Sequence, residues 1–416
     1  MSIAGSPRHV LFLNWRDTRN PEGGGSEVYV ERIAAELVAA GYRVTVFCAA
    51  HSAAPAEQVD PAGFRILRRG TRFTVYLRAA LCYLTGLAGF GPLSRRHGRP
   101  DVIVDVVNGM PFLSPLYARR PVMALVHHVH REQWPVVLPG FRGRLGWWIE
   151  SRLAPRVYRR CRYVTVSGAT RDELAGLGVD RDRITVVHNG TPEAPCQQLA
   201  PGRSVGAAPE GPVPATRSAT PALVVVGRLV PHKQIEVALH TVAALAGEFP
   251  ELRLAVAGKG WWAQPLRELA AELGVSDRVE FTGFVPDDQK HALFGWAWLS
   301  LTPSLKEGWG LTIVEAGSHA TPTVAFRDAG GVREALVDGQ TGLLADDHVD
   351  FIAKVRELLG DEPRRLAMGE AARAHARSYS WPAAGQKFAA LLPGAAKIPN
   401  QVRRVPIDAG VGQRLP

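Results

Sequence analysis

The chain has 416 residues, 46% of them apolar and 21% charged, with a formal net charge of +10. That is too long for one hydrophobic core and too apolar for a disordered chain, so two domains of about 150 to 200 residues each are expected. Its four cysteines, Cys48, Cys82, Cys161 and Cys196, form no C-x-x-C pair, which argues against a zinc site and a disulfide framework.

The first apolar run, HVLFLNW, begins directly after MSIAGSPR, with no basic segment, apolar leader or small-residue cleavage site before it. A cytoplasmic location is therefore expected. RVTVFCA, DVIVDVV, PVMALVH, YVTVS and ITVVHN follow. Short continuous runs of this kind suit strands of a parallel sheet buried on both faces. Helical patterns over residues 28–40 and 145–158 alternate with them, which predicts a doubly wound α/β sheet. The longest apolar stretch, residues 81–93, contains three glycines and falls short of the about 20 residues that cross a bilayer.

This first domain is predicted over residues 1–190. Residues 191–221 are dense in Pro, Ala, Gly and Ser and read as a flexible linker. The alternation restarts with ALVVVGRLV, LRLAVAGKG, VEFTGFV, WLSLTPS, PTVAF and TGLLA, with helical patterns over 234–248 and 349–359. A second domain of the same type is expected over 222–378. A helix over 379–393 is predicted to pack back toward the first domain, and residues 394–416 lose periodicity and read as a disordered tail.

Charge is unevenly distributed. Residues 1–190 hold 26 arginines and no lysine against 15 acidic residues, a net of +11. Arg65, Arg68, Arg69, Arg72, Arg78, Arg95, Arg96 and Arg99 fall in a stretch, 61–100, without one acid, and Arg156, Arg159, Arg160 and Arg162 form a second cluster. An anionic membrane surface or an anionic acceptor suits such a face, and a merely solvated face suits it equally. Nucleic acid is not an expected partner, because no nucleic-acid motif accompanies the charge.

The segment PSLKEGWGLTIVEAGSHATPTVAF places Glu307 and Glu315 eight residues apart across a glycine-containing turn. On one continuous helix they would lie about 12 Å apart along the axis and on different faces, so Glu307 precedes the helix. Gly308 and Gly310 let the backbone approach a ligand closely. A helix opening at Leu311 and Thr312 aims free N–H groups at that ligand, which suits a diphosphate. Glu315, about one turn in, is then placed to accept from ribose hydroxyls, with Glu307 facing the sugar. Arg228 and Lys233 follow the run ALVVVG, at the strand end where open α/β sheets bind ligands. Gly24 and Gly25 end a loop after the first strand and suit close approach to phosphate or acceptor, although the G-x-G-x-x-G spacing is absent. Asp101 and Asp105 flank strand core, and no metal or other cofactor is expected.

The E-x7-E element resembles that of glycosyltransferase family 4, retaining enzymes of the GT-B fold, in which two Rossmann-like domains face each other across a cleft. GGGSE, ALVHH, HNG, VGRLVPHK and GGVREALVDGQTGLL extend the resemblance in order over most of the chain. It implies that Glu307 contacts donor-sugar hydroxyls, Glu315 the ribose, and Arg228 and Lys233 the donor phosphates. It also implies that Gly24 and Gly25 face phosphates and acceptor, and that His127 lies at the anomeric centre, with His128 as the second choice. Phe284 and Val285 fall where the family meets the nucleobase. Two departures are Gln234, where the family has glycine, and Lys259, where Gly-Asp-Gly is common. Trp261 and Trp262 read as packing residues. The activity so implied is retaining hexosyl transfer from a GDP- or UDP-linked sugar to a lipid-linked, inositol-containing or polysaccharide acceptor. The competing readings are a sugar-nucleotide-binding subunit without turnover and a glycoside hydrolase using the glutamate pair, the latter disfavoured by the cations nearby.

Overall fold

The computed structural model describes residues 8–94, 98–138, 140–191 and 216–393. Arg95, Arg96, Cys196, residues 192–215 of the expected linker and the expected tail at 394–416 lie outside the described residues. Eight strands form one sheet: β1 (His9–Leu13), β2 (Arg43–Cys48), β3 (Glu57–Val59), β4 (Arg65–Arg68), β5 (Val102–Val107), β6 (Val122–Val126), β7 (Arg162–Thr165) and β8 (Ile184–Val186). Their order is β3-β4-β2-β1-β5-β6-β7-β8, parallel except for the β3–β4 pair. A second sheet contains β9 (Ala222–Val226), β10 (Arg253–Ala257), β11 (Val279–Gly283), β12 (Leu299–Thr302), β13 (Thr323–Phe326) and β14 (Gly342–Ala345). It runs β11-β10-β9-β12-β13-β14, all parallel, the strand order of a dinucleotide-binding sheet.

The connecting helices are α1 (Gly25–Ala39), α2 (Val75–Leu87), α3 (Trp134–Val137), α4 (Phe141–Trp148), α5 (Ala154–Val157), α6 (Gly168–Gly176) and α7 (Ile235–Leu245). After these come α8 (Ala263–Glu272), α9 (Asp287–Trp296), α10 (Leu311–Ser318), α11 (Val332–Ala335), α12 (His348–Gly360), α13 (Glu362–Ala376) and α14 (Trp381–Leu391). β1 and β5 are buried at every position, because helices cover both faces of the sheet. The helical pattern at 145–158 resolves into α4, a π-helical turn over Ile149–Leu153 and α5.

The edge pair β3–β4 had no strand signal, since EQV and RILR are short and polar. Pairing with β2 and the burial of Arg68 against Asp17 hold it in place.

α14 crosses onto α1, where Gly385 permits the approach: a Cβ there would lie 2.3 Å from the Cβ of Glu36. Phe388 stacks on Phe12 at 5.9 Å. The buried cluster holding these residues also takes in Trp309, Ile313 and Val314 of the second half, so one apolar core bridges both sheets. Arg217 is already anchored on the second half, its guanidinium donating to Thr321 Oγ1 at 2.8 Å.

Candidate active site

In each sheet the strand order reverses once, between β9 and β12 and between β1 and β5, and a crevice forms outside the strand ends at such a switch point. From the second sheet, Arg228 leaves β9 and Glu307 follows β12. Glu307 is held from two sides: Lys233 Nζ lies 2.6 Å from its Oε1, and Ser304 Oγ donates to the same oxygen at 2.7 Å. Burial pushes the Glu307 carboxyl up, but Lys233 and Ser304 outweigh it and hold the group below its ordinary value. Lys233 is thus shared with a carboxylate, a pairing the sequence did not indicate.

Arg228 differs. It is half-buried, and its guanidinium makes no hydrogen bond or ion pair with any described residue. Burial, then the nearby Arg16, lowers its basicity, while Glu27 and Glu307 oppose that. Gln234 occupies left-handed backbone, φ 47°, a conformation that glycine adopts without strain. Gln234→Gly is expected to stabilise the fold by roughly 0.5–1 kcal/mol, because it relieves more strain than it adds unfolded-state entropy. A urea midpoint at or below that of the parent chain would show that the glutamine side chain compensates.

Beyond Gly310, at φ 102°, α10 opens at Leu311 and Thr312. Glu315 points inward from α10 and is buried, with Lys290 of α9 2.8 Å from its Oε1. Burial pushes its carboxyl up, and Lys290 only partly offsets this. Sequence reading missed Lys290, which lies on another helix. Phe284 is 69% exposed, with Lys259 Nζ 5.8 Å from its ring centre, and Val285 is half-buried beside it. Trp262 packs and donates to Glu236, but Trp261 is 67% exposed, so the packing expected of both tryptophans holds only for the second.

From the first sheet comes the glycine loop. Glu27, fully buried, accepts from the Gly24 amide at 2.7 Å and from Ser26 Oγ at 2.8 Å, and pairs with Arg16 at 3.1 Å. A Cβ on Gly24 would stand 3.3 Å from Arg228 Nε, and one on Gly25 would stand 4.0 Å from Leu311 Cδ2. The loop therefore faces the second half directly. His127 ends β6, buried, with Nε2 unpartnered. Burial lowers its pKa to about 4 against the pull of Glu27, so its ring is neutral near pH 7. His128 Nε2 is unpartnered too, and burial again depresses that ring, with His130 adding to the effect.

A polar chain behind them was not legible in the sequence. Ser26 Oγ accepts from Asn108 Nδ2 at 3.1 Å, Asn108 Oδ1 faces His130 Nε2 at 3.0 Å, and His130 Nδ1 faces Glu150 Oε1 at 3.0 Å. Trp134 Nε1 donates to the other Glu150 oxygen at 2.6 Å. Ser26 spends its only proton on Glu27, so the Asn108 amide donates to Ser26 and turns its oxygen to His130. The Glu150 carboxylate can only accept, so His130 Nδ1 donates to it. The chain ties the glycine loop to the loop carrying His127.

The halves touch. A Cβ on Gly308 would lie 2.7 Å from the His127 carbonyl oxygen. Glu334 of α11 accepts from the Ala169 amide at 3.1 Å and meets His188 Nε2 at 2.9 Å. Lys306, next to Glu307, pairs with Glu173 and lies 3.6 Å from Glu132.

The basic stretch at 61–100 is partly neutralised. Arg68 is buried on Asp17, Arg65 and Arg69 share Glu57, and Arg72 lies 3.6 Å from Glu22. Asp17, Glu57 and Glu22, from outside the stretch, fold against it. Asp105 is wholly buried under Ser114, Phe112 and Tyr158, and Asp101 accepts from the His9 amide, so both are structural. Among the described residues no group of three His, Cys, Asp or Glu stands together as a metal site.

Residues 23–194 match the family model described as Glycosyltransferase Family 4, and residues 213–375 the one described as Glycosyl transferases group 1. The chain is 31% identical to a D-inositol 3-phosphate glycosyltransferase of Nocardia farcinica, over 86% of this chain and 82% of that protein. It is 26% identical to a GDP-mannose-dependent alpha-(1-6)-phosphatidylinositol monomannoside mannosyltransferase of Mycolicibacterium smegmatis, over 90% and 96%. A 34% identical D-inositol 3-phosphate glycosyltransferase of Corynebacterium efficiens is matched over 54% of this chain and only 55% of its own length. Among solved structures, sucrose-phosphate synthase from Thermosynechococcus elongatus is similar in fold, with a TM-score of 0.72 at 18% identity over 92% of this chain and 97% of that one. Two facing doubly wound sheets, matched in sequence through both halves, establish that the chain belongs to glycosyltransferase family 4, with the GT-B architecture.

Proposed function

We propose that the chain moves a hexosyl group, with retention of configuration, from a GDP- or UDP-linked sugar to a lipid-linked, inositol-containing or polysaccharide acceptor. The observation that carries this reading is the Arg228 guanidinium, half-buried at a switch point, without a protein partner among the described residues and 3.3 Å from where a side chain on Gly24 would begin. A cation so placed suits a diphosphate. The relatives' names, one citing GDP-mannose and two inositol 3-phosphate, support the donor and acceptor classes.

As the bond from the anomeric carbon to the diphosphate oxygen breaks, negative charge grows on the leaving group. Arg228, Lys233 and the free amides at Leu311 and Thr312 oppose it without a metal. Glu307, fixed by Lys233 and Ser304, accepts from sugar hydroxyls, and Glu315 serves the ribose while held by Lys290. Phe284 and Val285 border the base. His127 is neutral and hydrogen-bonds the sugar, with His128 in reserve. The acceptor oxygen attacks from the leaving-group side and its proton passes to a departing phosphate oxygen, so configuration is kept. Closure of the halves over Gly24, Gly25, Gly308 and Gly310 excludes water.

Nucleoside diphosphate release that requires both a GDP- or UDP-sugar and an acceptor tests this reading. A hydrolase would need no nucleotide, and a binding subunit would saturate without release. His127→Ala is expected to lower kcat about a hundredfold while donor affinity changes little; a parent-like rate would remove His127 from the reaction.

The acceptor side also bears a membrane-facing surface in this proposal. Leu77, Leu81 and Leu84 share one exposed face of α2, with Phe73 78% and Phe90 72% exposed at its ends and Arg72 and Arg78 alongside. Such a basic, apolar-faced helix suits an anionic bilayer surface. Among the described residues no helix is long and apolar enough to cross one. Leu77→Glu/Leu84→Glu should abolish sedimentation with phosphatidylglycerol vesicles at low salt, and undiminished sedimentation would refute the surface.

A further inference from the structure

We infer that the chain carries a second anion site, for a phosphate-bearing ligand, at the base of the first sheet. A cavity of about 760 Å³ opens there between Arg120, Arg159, Arg160 and Arg162 on one side and the end of α14 with Leu392 and Pro393 on the other. Arg120 lies just before β6 and Arg162 opens β7, whereas His127 follows the far end of β6. A five-residue strand separates the two ends by about 16 Å, so this cavity is not part of the cleft.

The charges in it are unanswered. No Asp or Glu lines the cavity. Arg162 donates to the Leu391 carbonyl at 3.2 Å, and Arg8 donates to the Pro393 carbonyl while its Nη1 is buried without a partner. The side chains of Arg120, Arg159 and Arg160 make no hydrogen bond or ion pair with any described residue. The other arginine stretch recruited Asp17, Glu57 and Glu22 from elsewhere in the chain; this one recruited nothing. Arg120, Arg159, Arg160 and Arg162 are exposed, so water screens their mutual repulsion, and their guanidinium forks are free to match phosphate oxygens. Apolar side chains share the lining, Val122 and Val157 beside the arginines and Leu392 across from them, which leaves room for the uncharged part of a phosphate ester. Cys161 also borders the cavity, but burial pushes its thiol up to about 11, so it supplies no thiolate.

The site has a mechanical consequence. Its arginines lie at the starts of β6 and β7, and Ala390, Leu391, Leu392 and Pro393, at and just after the end of α14 and beyond the second sheet in the chain, line the other side. An anion there fastens α14 to the base of β6 and β7, and a ligand held only by the folded state stabilises it by mass action.

The ligand's phosphate comes from a lipid headgroup or from a free phosphorylated compound, and calorimetry on the full chain separates the two. Inorganic pyrophosphate and dihexanoyl phosphatidic acid serve as probes, each titrated into the parent chain, into Arg228→Ala to silence the cleft, and into Arg120→Gln/Arg160→Gln. A pyrophosphate site that survives in Arg228→Ala and weakens about tenfold or more in the double variant is the result expected for a free phosphate. The same pattern for the phosphatidic acid alone assigns the lipid source. Binding of neither probe in Arg228→Ala, or binding unchanged by the double substitution, overturns the proposal. Arg159→Gln, a single substitution at a position exposed like the other two, repeats the measurement should the double variant melt early. The pocket variants keep Arg228 and Lys233, so failure here leaves the transferase reading untouched, and failure of that reading leaves this one.

Discussion

Gly308→Ala is expected to reduce kcat about a hundredfold or more while leaving donor affinity within about threefold. A Cβ at that position would stand 2.7 Å from the His127 carbonyl oxygen, a backbone atom, and the Cβ itself is fixed by the backbone that bears it. No rotamer change relieves such a clash, so the halves must part or the loop bearing Glu307 must shift. The displacement needed is under about 1 Å, yet misplacement of that order costs about 10²-fold in a positioned reaction. The donor contacts of Arg228, Lys233 and the α10 amides lie in the second half and survive. The check is a comparison of kcat with the donor dissociation constant from calorimetry. A parent-like kcat would mean that turnover does not use the closed arrangement.

Arg228→Ala is expected to lower kcat/KM by about 10²–10³, the usual cost of removing one preorganised donor that faces developing charge. Arg228→Lys should recover only part, because a point charge replaces a planar fork. Steady-state kinetics with the preferred donor decides it, and a loss below about threefold would move the diphosphate elsewhere. Lys233→Ala should behave differently. It removes a charge-assisted bond worth about 1.5–3 kcal/mol, and it also strips Glu307 of the partner that most opposes its burial. The Glu307 carboxyl then rises, so protonation sets in at higher pH and the acid limb of the rate profile should move upward in Lys233→Ala but not in Arg228→Ala. Coincident acid limbs would show that Glu307 need not be ionised.

Much of the site could be read from the chain because its parts are local. Glu307, the glycines and Glu315 lie within nine residues, and Arg228 and Lys233 within six, each at the end of an apolar run. Partners contributed by other elements were invisible. Lys290 on Glu315, Arg16 on Glu27 and the Ser26–Asn108–His130–Glu150 chain each join segments that no periodicity connects. The same holds in the basic stretch, where Glu57, Asp17 and Glu22 answer Arg65, Arg68, Arg69 and Arg72.

By itself the sequence determined the alternation of strands and helices, and hence which residues stand at strand ends, because apolar periodicity follows directly from burying one or both faces of each element. Only the tertiary structure decided which charges are paired and which stand alone. Lys233 and Glu315 are committed to internal partners, and the side chains of Arg228, Arg120, Arg159 and Arg160 have none among the described residues. Pairing depends on distances of a few ångströms between segments far apart in the chain, and electrostatic energy at that range is set by geometry that composition cannot encode.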